Sequence, residues 1–169
     1  MHEISFQEHI LPLKDKLFRL ALRITLNRAE AEDVVQETMI RVWSKRAEWG
    51  KLESIEAYCL TVAKRLAIDK SELKDAQNET LTSEADSLQQ APSPHDCLVK
   101  KERIALLNQL IGRLPMKQRM VIQLRDIEGK SYKEIAALMS MTEEQVKVTL
   151  FRARQKLKQQ FIDIDNYGL

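Results

Sequence analysis

The stretch LPMKQRMVIQLRDIEGKSYKEIAALMSMTEEQVKVTLFRARQKLK, residues 114–158, decides the fold of the C-terminal half of this chain. It contains three helical patterns separated by two abrupt stops. Pro115 suits the first position of a helix, because its fixed φ is helical and its missing N–H costs nothing there. Gly129 is the residue type best able to leave a helix with positive φ. The sequence therefore predicts a first helix between them, with Val121, Leu124 and Ile127 on one face.

The next two helices are marked by capping boxes, in which two side chains satisfy the backbone donors at a helix start. Ser131 and Glu134 form the first box, and Thr142 and Gln145 form the second. Ser140–Met141 leaves room for only a tight turn between the two helices. A short helix, a tight turn and a longer helix make the helix-turn-helix arrangement that many DNA-binding proteins use.

The last helix has a buried side and a basic side. Its predicted buried stripe, at helical spacing, is Val146, Leu150, Ala153 and Leu157. Its predicted outward side chains are Lys147, Val148, Phe151, Arg152, Arg154 and Gln155. No acidic residue occurs in 145–161, so in a major groove the part 144–152 would face base edges. The alternative is a solvated basic face on an ordinary bundle helix, but the tight turn and the two capping boxes favour DNA binding.

Composition limits the fold and the location of the chain. The sequence is rich in Leu, Ala, Glu, Lys, Arg and Gln and has only four Gly and four Pro in 169 residues, so we expect an all-α protein. No apolar run is long enough to cross a bilayer, and the start MHEISFQEHI lacks the features of a signal peptide, so we expect a cytoplasmic protein. Cys59 and Cys97 are far apart, which predicts neither a disulfide nor a zinc site. Cys59 is expected to be a buried thiol.

Charge is unevenly distributed along the chain. Residues 1–74 hold 13 basic and 12 acidic side chains, whereas residues 75–96 hold no basic and 5 acidic ones. Residues 97–169 hold 14 basic and 8 acidic side chains. The C-terminal segment alone therefore has the charge expected of a nucleic-acid-binding domain.

The N-terminal part reads as three helices. Ser5 and Glu8 form a third predicted capping box, and Pro12 should kink the first helix or mark where its regular part begins. Asn27, with Glu30 three residues later, starts the second helix. A third helix is predicted from about Ser54, after a loop. Three helices of this size can close a core of their own.

A polar, acidic segment follows, DAQNETLTSEADSLQQAPSPHD at 75–96. It cannot bury enough apolar surface to offset the entropy lost on ordering, so it is predicted to be a flexible linker. Helical periodicity resumes at Leu98–Arg113. The prediction is therefore two small helical domains, 1–74 and 97–169, joined by this linker.

The N-terminal domain carries weaker functional signals. A mixed polar face on its second helix is formed by Asp33, Gln36, Glu37 and Arg41, and the simplest interpretation of that face is solvation. Trp43 and Trp49 are most simply core or loop anchors, but Trp49 lies beside Gly50 and Lys51 in the loop, where an exposed aromatic ring could stack on an unpaired base. A basic patch near Tyr58 on the third helix consists of Lys64, Arg65 and Lys70.

Catalytic motifs are not apparent in the sequence. His2 and His9 are too far apart for the zinc-protease pattern, and no glycine-rich phosphate loop is present. No Ser or Cys has a plausible base beside it in a recognisable pattern. We therefore expect no enzymatic activity, no cofactor, no metal and no small-molecule substrate.

Three segments together resemble the extracytoplasmic-function (ECF) group of bacterial sigma factors. They are AEAEDVVQETMIRVW at 29–43, AYCLTVAKRLAID at 57–69, and the 114–158 stretch, and they occur in the order typical of that group. The resemblance implies a dissociable subunit of RNA polymerase that directs the core enzyme to particular promoters and melts them. In that family, 1–74 corresponds to sigma region 2 and 97–169 to sigma region 4.

The resemblance also assigns roles to residues. Core polymerase would bind Asp33, Gln36, Glu37 and Arg41. The minus-ten strand would contact Trp49, Lys51, Ser54, Tyr58, Lys64, Arg65 and Lys70. The minus-thirty-five duplex would contact Lys130, Tyr132, Lys133, Glu144, Gln145, Lys147, Val148, Phe151, Arg152 and Arg154. Because the family usually has Asn where this chain has Arg65, a phosphate contact is the expected role at that position.

Partners follow from the same resemblance: core RNA polymerase, promoter DNA and, in many members, a membrane-linked anti-sigma factor wedged between the two domains. The sequence leaves open whether this chain has such an inhibitor. Two other hypotheses remain open on the residues alone. One is a stand-alone regulator that binds an operator as a dimer, although no dimerisation heptad is present. The other is a helical adaptor that binds no DNA.

Overall fold

The computed structural model describes the backbone of residues 3–77 and 95–167, and the side chains of 3–74 and 100–164. Within these ranges every regular element is helical, which confirms the all-α prediction. Most of the predicted linker and the side chain of Cys97 lie outside the described residues. At the linker's edges the flanking helices extend to Gln77 and begin again at His95.

Three helices form the N-terminal domain: α1 (Lys14–Thr25), α2 (Arg28–Ser44) and α3 (Ile55–Gln77). Each packs against the other two. Asn27 caps α2, as predicted, by accepting from the Glu30 amide (3.0 Å). The helix predicted from about Ser54 is α3, and the Ser54 hydroxyl caps it by accepting from the Ala57 amide. A short 3₁₀ helix, Arg46–Lys51, forms most of the connection between α2 and α3.

The chain enters α1 through irregular turns. A π-helical turn, Phe6–Ile10, is followed by a 3₁₀ turn, Leu11–Leu13, so Pro12 marks where the regular helix begins, as expected. The predicted capping box of Ser5 and Glu8 is wrong. The Ser5 amide, which Glu8 would have bound, donates instead to Nδ1 of His9 (2.9 Å). The Ser5 side chain makes no cap hydrogen bond.

Four helices form the C-terminal domain: α4 (His95–Gly112), α5 (Met116–Ile122), α6 (Tyr132–Met139) and α7 (Glu143–Tyr167). Both α5 and α6 pack against α7. Gly129 has φ 72° and ends the helical segment that continues from α5, as predicted. The expectation for Ile127 is wrong, because it is exposed. A π-helical turn at Gln123–Ile127 widens the helix and shifts its period, so Gln123 and Leu124 take the buried positions.

The two domains are in contact. α1 packs against α5 and the π-helical turn, and α3 packs against α6. Arg119 on α5 is buried, and its guanidinium donates to the carbonyls of Arg23 (2.8 Å) and Ile24 (3.3 Å) at the end of α1. Helix ends leave carbonyls without partners, and a cation there also interacts favourably with the helix dipole. A buried arginine of one domain thus caps a helix of the other.

Candidate nucleic-acid interface

The α6–α7 pair has the geometry of a helix-turn-helix. Ser131 and Glu134 form the predicted capping box at the start of α6. Thr142 and Gln145 exchange hydrogen bonds of 2.9 Å and 3.1 Å at the start of α7. Between the helices Ser140 takes the left-handed conformation, with φ 54°. These caps fix where both helices begin, and therefore which side chains α7 turns outward.

The faces of α7 match the prediction from periodicity. Its predicted stripe is buried: Val146, Leu150, Ala153 and Leu157. The structure exposes all six predicted outward side chains: Lys147, Val148, Phe151, Arg152, Arg154 and Gln155. Glu144 and Gln145, at the start of the helix, are exposed as well. Phe151 is 63% exposed and Val148 is 47% exposed, which are large values for apolar side chains. An apolar pair flanked by cations suits the major groove of DNA, where base edges include thymine methyl groups and the backbones on both sides carry phosphates.

Tyr132 organises the cations at the start of α7. The guanidinium of Arg125 lies 4.3 Å from the centre of its ring, and the Lys147 ammonium lies 5.3 Å from the same centre. Arg125 also donates to the Lys130 carbonyl (2.9 Å). Sequence reasoning missed Arg125, because its approach to the ring depends on the π-helical turn, which no local pattern indicated. Lys133, on the same helix as Tyr132, is exposed.

The two arginines of α7 differ in their surroundings. Arg154 forms a salt bridge with Asp126, in which Nε donates to Oδ2 at 3.1 Å. This hydrogen bond raises the pKa of Arg154 and outweighs the opposing effect of burial. Arg152 is exposed on the same helix. The structure therefore leaves Arg152 better placed than Arg154 for a new anionic contact.

Two predicted DNA contacts point into the contact between the domains. Lys130 donates to Oε1 of Glu56 on α3 (2.7 Å), and Lys64 donates to the Leu138 carbonyl on α6 (2.6 Å). Burial, with a smaller effect from the charge of Arg65, lowers the pKa of Lys64. The structure thus separates these lysines from the remaining predicted DNA contacts.

Of the two interpretations of Trp49, the structure supports the loop anchor and contradicts the exposed aromatic ring. It is only 6% exposed, and its indole N–H donates to the Val42 carbonyl (2.9 Å). The 3₁₀ helix turns the ring back onto α2, where it makes an edge contact with Trp43. Among the other predicted contacts of the minus-ten strand, Lys51, Ser54 and Arg65 are exposed, while Tyr58 and Lys70 are half-buried. Trp49 therefore anchors the loop rather than offering a stacking surface.

The polar face of α2 continues into an apolar patch that sequence reasoning missed. Asp33 and Gln36 are exposed, and Arg41 donates to Glu37 (2.9 Å). On the same helix, Ile40 is 69% exposed and Trp43 is 48% exposed. These two side chains, with Phe6 and Met39, line one continuous apolar surface, called here the α2 patch. A sequence signal existed, because the run 34–43 has more large apolar residues than one helix face can bury.

Three further observations concern the thiol, the helix lengths and the metal-ligand residue types of the described residues. Cys59 is buried, as predicted, and burial raises its pKa to about 12. Within the described parts of the chain, none of the helices combines the length and the apolar character needed to span a bilayer. The same residues contain no cluster of three or more His, Cys, Asp or Glu side chains arranged to hold a metal ion.

Comparison with known proteins identifies both domains. Residues 10–78 match the sigma-70 region 2 family, and residues 104–157 match the sigma-70 region 4 family. The chain is 30% identical to the ECF RNA polymerase sigma factor SigW of Bacillus subtilis, over 95% of this chain and 90% of SigW. It is also 30% identical to SigL of Mycobacterium tuberculosis, over 84% of this chain and 80% of SigL.

Solved structures show the same fold. The sigma factor RpoE of Bartonella quintana, solved with the anti-sigma factor NepR, has a TM-score of 0.73 at 22% identity, over 95% of this chain and 98% of RpoE. CnrH, solved with the cytosolic domain of CnrY, has a TM-score of 0.64 at 19% identity, over 91% of this chain and 85% of CnrH. With both sigma regions present in order, and with this identity to SigW along nearly its whole length, the chain belongs to the ECF group of RNA polymerase sigma factors.

Proposed function

We propose that this sigma factor directs core polymerase to promoters through three separate surfaces. These are the outer face of α2 for the polymerase, the loop and α3 for the minus-ten strand, and α7 for the minus-thirty-five duplex. The observation that carries the proposal is the exposed face of α7, where cations surround an apolar pair and no acidic residue lies between Gln145 and Phe161. Duplex DNA would bind such a face favourably, because its phosphates attract the cations and its base edges offer apolar contacts.

On the duplex side, Lys147, Val148, Phe151 and Arg152 would contact the upstream promoter element. Arg152 is the best candidate for a base contact, because Arg154 is already paired with Asp126. Lys133 and Lys147 would contact phosphates. Glu144 and Gln145 lie at the N-terminal end of α7, where a recognition helix approaches base edges most closely.

On the strand side, Lys51, Ser54, Tyr58, Arg65 and Lys70 would contact the opened minus-ten element. Arg65 is exposed and suited to a phosphate contact. Bases that have left the duplex stack would bind here in preference to paired ones. Binding would thereby offset the cost of unstacking, a few kcal/mol per base.

For the polymerase, Asp33, Gln36, Glu37 and Arg41 would supply the polar part of the contact. The adjoining Ile40 and Trp43 would supply an apolar centre, because interfaces bury apolar anchors inside a polar rim. Replacing Asp33 and Gln36 together with Ala should weaken binding to core polymerase while leaving the fold intact. Unchanged affinity in a pull-down would contradict this assignment.

An inhibitor is a further expected partner. In the solved structures described above, the sigma factor RpoE is bound to the anti-sigma factor NepR, and CnrH is bound to the cytosolic domain of CnrY. We infer that this chain works in the cytoplasm and is held inactive by an anti-sigma factor, which would be membrane-linked if the signal comes from the envelope.

The direct test is transcription in vitro from a library of genomic fragments by purified core polymerase, with and without this chain. New start sites that share two spaced upstream elements, and that appear only with the chain, would support the proposal and define the promoter. If no new start site appears and the chain does not co-elute with core, the proposal is wrong. A stand-alone regulator, tested on palindromic duplexes, would then be the better explanation.

A further inference from the structure

An acidic side chain lies beside the basic flank of α7. Asp126, in the π-helical turn Gln123–Ile127, accepts two hydrogen bonds from Arg154, one from Nε to Oδ2 (3.1 Å) and one from Nη2 to Oδ1. Two hydrogen bonds between a guanidinium and a carboxylate fix the orientation of both groups as well as their distance. The carboxylate therefore sets the direction in which the Arg154 side chain points.

Arg154 belongs to the side of α7 that would lie next to a DNA backbone. Lys147, Arg154 and Lys158 follow each other at spacings of seven and four residues, so they share one flank of the helix. All three side chains are exposed. When a helix enters the major groove, its outermost residues face base edges and its flanks lie along the phosphate backbones. Without Asp126, the Arg154 guanidinium would therefore be available to a phosphate.

The exposure of the pair indicates a role other than stabilising the fold. The Arg154 side chain is 51% exposed and the Asp126 side chain is 35% exposed. Ion pairs with this much exposure contribute little to the free energy of unfolding, because water screens the charges and ordering two side chains costs entropy. A carboxylate beside a DNA-binding face also repels phosphates. Both effects point to a role of the pair in DNA binding.

The same π-helical turn leaves the other cation of this flank charged. The Lys147 ammonium lies 5.3 Å from the centre of the Tyr132 ring, and Arg125 of the turn lies 4.3 Å from the same centre. An aromatic ring attracts a cation without neutralising it. Two turns further along α7, a carboxylate neutralises Arg154. The flank thus keeps the charge of Lys147 for phosphates and cancels the charge of Arg154.

Cancelling one cation on this flank affects unrelated DNA more than the promoter. A phosphate contact carries no sequence information, so it adds affinity for every duplex. On the promoter, base contacts hold α7 in one position, and an added cation gains only if a phosphate lies there. On an unrelated duplex the helix can settle wherever the added cation meets a phosphate. An extra cation therefore reduces the preference for the promoter.

We infer that Asp126 is a specificity-determining residue of this sigma factor, which acts by holding Arg154 away from the DNA phosphates. Loss of the carboxylate increases binding to unrelated sequences and lowers the preference for the promoter. Specificity of this kind depends on disfavouring the wrong partner as well as on contacts to the right one. The inference rests on the proposed function and adds to it a positioning residue that itself makes no contact with DNA.

The test uses the holoenzyme formed by core polymerase and the full chain. Transcription from a promoter that the holoenzyme uses is measured while a scrambled duplex is added as competitor. Asp126→Asn should lower the competitor concentration that halves transcription by about threefold to fivefold, the effect of one exposed ionic contact. The salt dependence of competitor binding should become steeper by about one phosphate contact. The same core is used with every variant, so its own DNA binding cancels.

Two controls separate this effect from a general loss of negative charge. Asp163→Asn is the matched variant, because it removes the same charge from an exposed position on α7, where the carboxylate accepts from the neutral amide of Gln159 (3.0 Å). It should change the half-inhibiting concentration by less than about twofold. In a chain that already carries Arg154→Gln, Asp126→Asn should also have less than about a twofold effect, because no guanidinium is left to release.

The inference and the proposed function fail in different ways. If Asp126→Asn leaves competition unchanged, or acts equally in the Arg154→Gln chain, while the unchanged chain supports transcription, only the inference is wrong. If the unchanged chain supports no transcription with core, the proposed function is wrong. Binding of the chain to any duplex at low salt, with and without Asp126→Asn, then still decides whether Asp126 restrains Arg154. Asp126→Ser releases the same guanidinium and replaces Asp126→Asn if circular dichroism shows a loss of helix.

Discussion

At the level of single residues, Trp43 and Trp49 have opposite surroundings. Their ring centres lie 6.1 Å apart, yet Trp43 is half exposed and Trp49 is buried. Trp43 also contacts Phe6 edge-on and lies under the Arg46 guanidinium. A loop tryptophan in a polar sequence gives no indication of which way it turns. Its direction is set by a hydrogen bond to Val42, on the preceding helix.

Trp49→Phe tests this anchoring role. The substitution keeps an aromatic ring but leaves the Val42 carbonyl without its indole donor, so the free energy of unfolding should fall by about 1 kcal/mol. Urea denaturation measures the change. Trp43→Phe, which removes an indole that is half exposed, should change the stability by less than about 0.5 kcal/mol. Equal losses in the two variants would contradict the assignment.

Arg152 and Arg154 can be compared to test whether α7 recognises a base of the upstream promoter element. Arg152→Ala should lower transcription from the best promoter by an amount equivalent to about 1–3 kcal/mol if the guanidinium binds a base. Arg154→Ala should have a smaller effect on promoter choice, because its guanidinium is held by Asp126. Transcription assays on promoters that differ at single upstream positions measure both. If Arg152→Ala reduces all promoters equally and also reduces the salt dependence, Arg152 contacts only phosphate.

At the level of elements, the turn between α6 and α7 contains avoidable strain. Ser140 has φ 54°, a region that costs a residue with a Cβ atom about 1 kcal/mol and costs Gly much less. Its side chain is exposed, so Ser140→Gly should raise the free energy of unfolding by about 0.5–1 kcal/mol. Ala137→Gly, in the exposed middle of α6, should lower it by about 1 kcal/mol. Thermal unfolding measures both changes. If the two substitutions change the stability in the same direction, this prediction is wrong.

The α2 patch can be tested by replacing Ile40, which lies on the outer face of α2. Ile40→Ser should leave stability within about 0.5 kcal/mol, because its side chain is mostly in water in the free protein. It should weaken binding to core polymerase by at least about fivefold, since apolar anchors dominate interface energies. Leu73→Ser on α3 is the matched control, an exposed apolar side chain outside the patch. Equal binding by both variants, in a titration with labelled core, would remove Ile40 from the interface.

The sequence predicts those features of the elements that depend on neighbours along the chain. The caps at Asn27, Ser131 and Thr142 were predictable because their partners lie within one helical turn. The buried stripe of α7 was predictable because its apolar residues recur at regular helical spacing. Ile127 was predicted wrongly because the π-helical turn changes that period, and a π-helical turn has no reliable sequence signal.

At the level of the whole molecule, the contact between domains could not be predicted from the sequence. Lys64 and Lys130 look like DNA-binding lysines because each lies in a basic stretch near a helix of the right kind. Their partners, Leu138 and Glu56, are far away in the chain and are brought close only by the packing of α6 on α3. Charge patterns therefore identify which domain binds nucleic acid, but not which cations are available in the free protein.

Acid should weaken the contact between the domains, because two of the groups that form it, Glu56 and Glu128, are carboxylates. Burial raises the pKa of Glu56 and Glu128, but hydrogen bonds from Lys130 and Lys16 in one case, and from Arg19 in the other, leave both pKa values below the ordinary 4.5. A carboxylate whose pKa is lower when the domains are in contact stabilises that contact above its ordinary pKa. The stabilisation is lost as pH falls through the lowered values, so the contact between the domains should weaken below about pH 4.5.

Small-angle scattering of the free chain, with circular dichroism to confirm that the helices persist, measures this opening between about pH 6 and about pH 3. The radius of gyration should rise as the pH falls, and added salt should favour the same change because it screens the half-exposed pairs. The double variant Glu56→Gln, Glu128→Gln is the control, since neither amide takes up a proton in this range. Its radius of gyration should already be large near neutral pH and should change little on acidification. If the double variant is compact at neutral pH and opens with the same midpoint as the unchanged chain, other carboxylates control the opening and these two pairs do not hold the domains together.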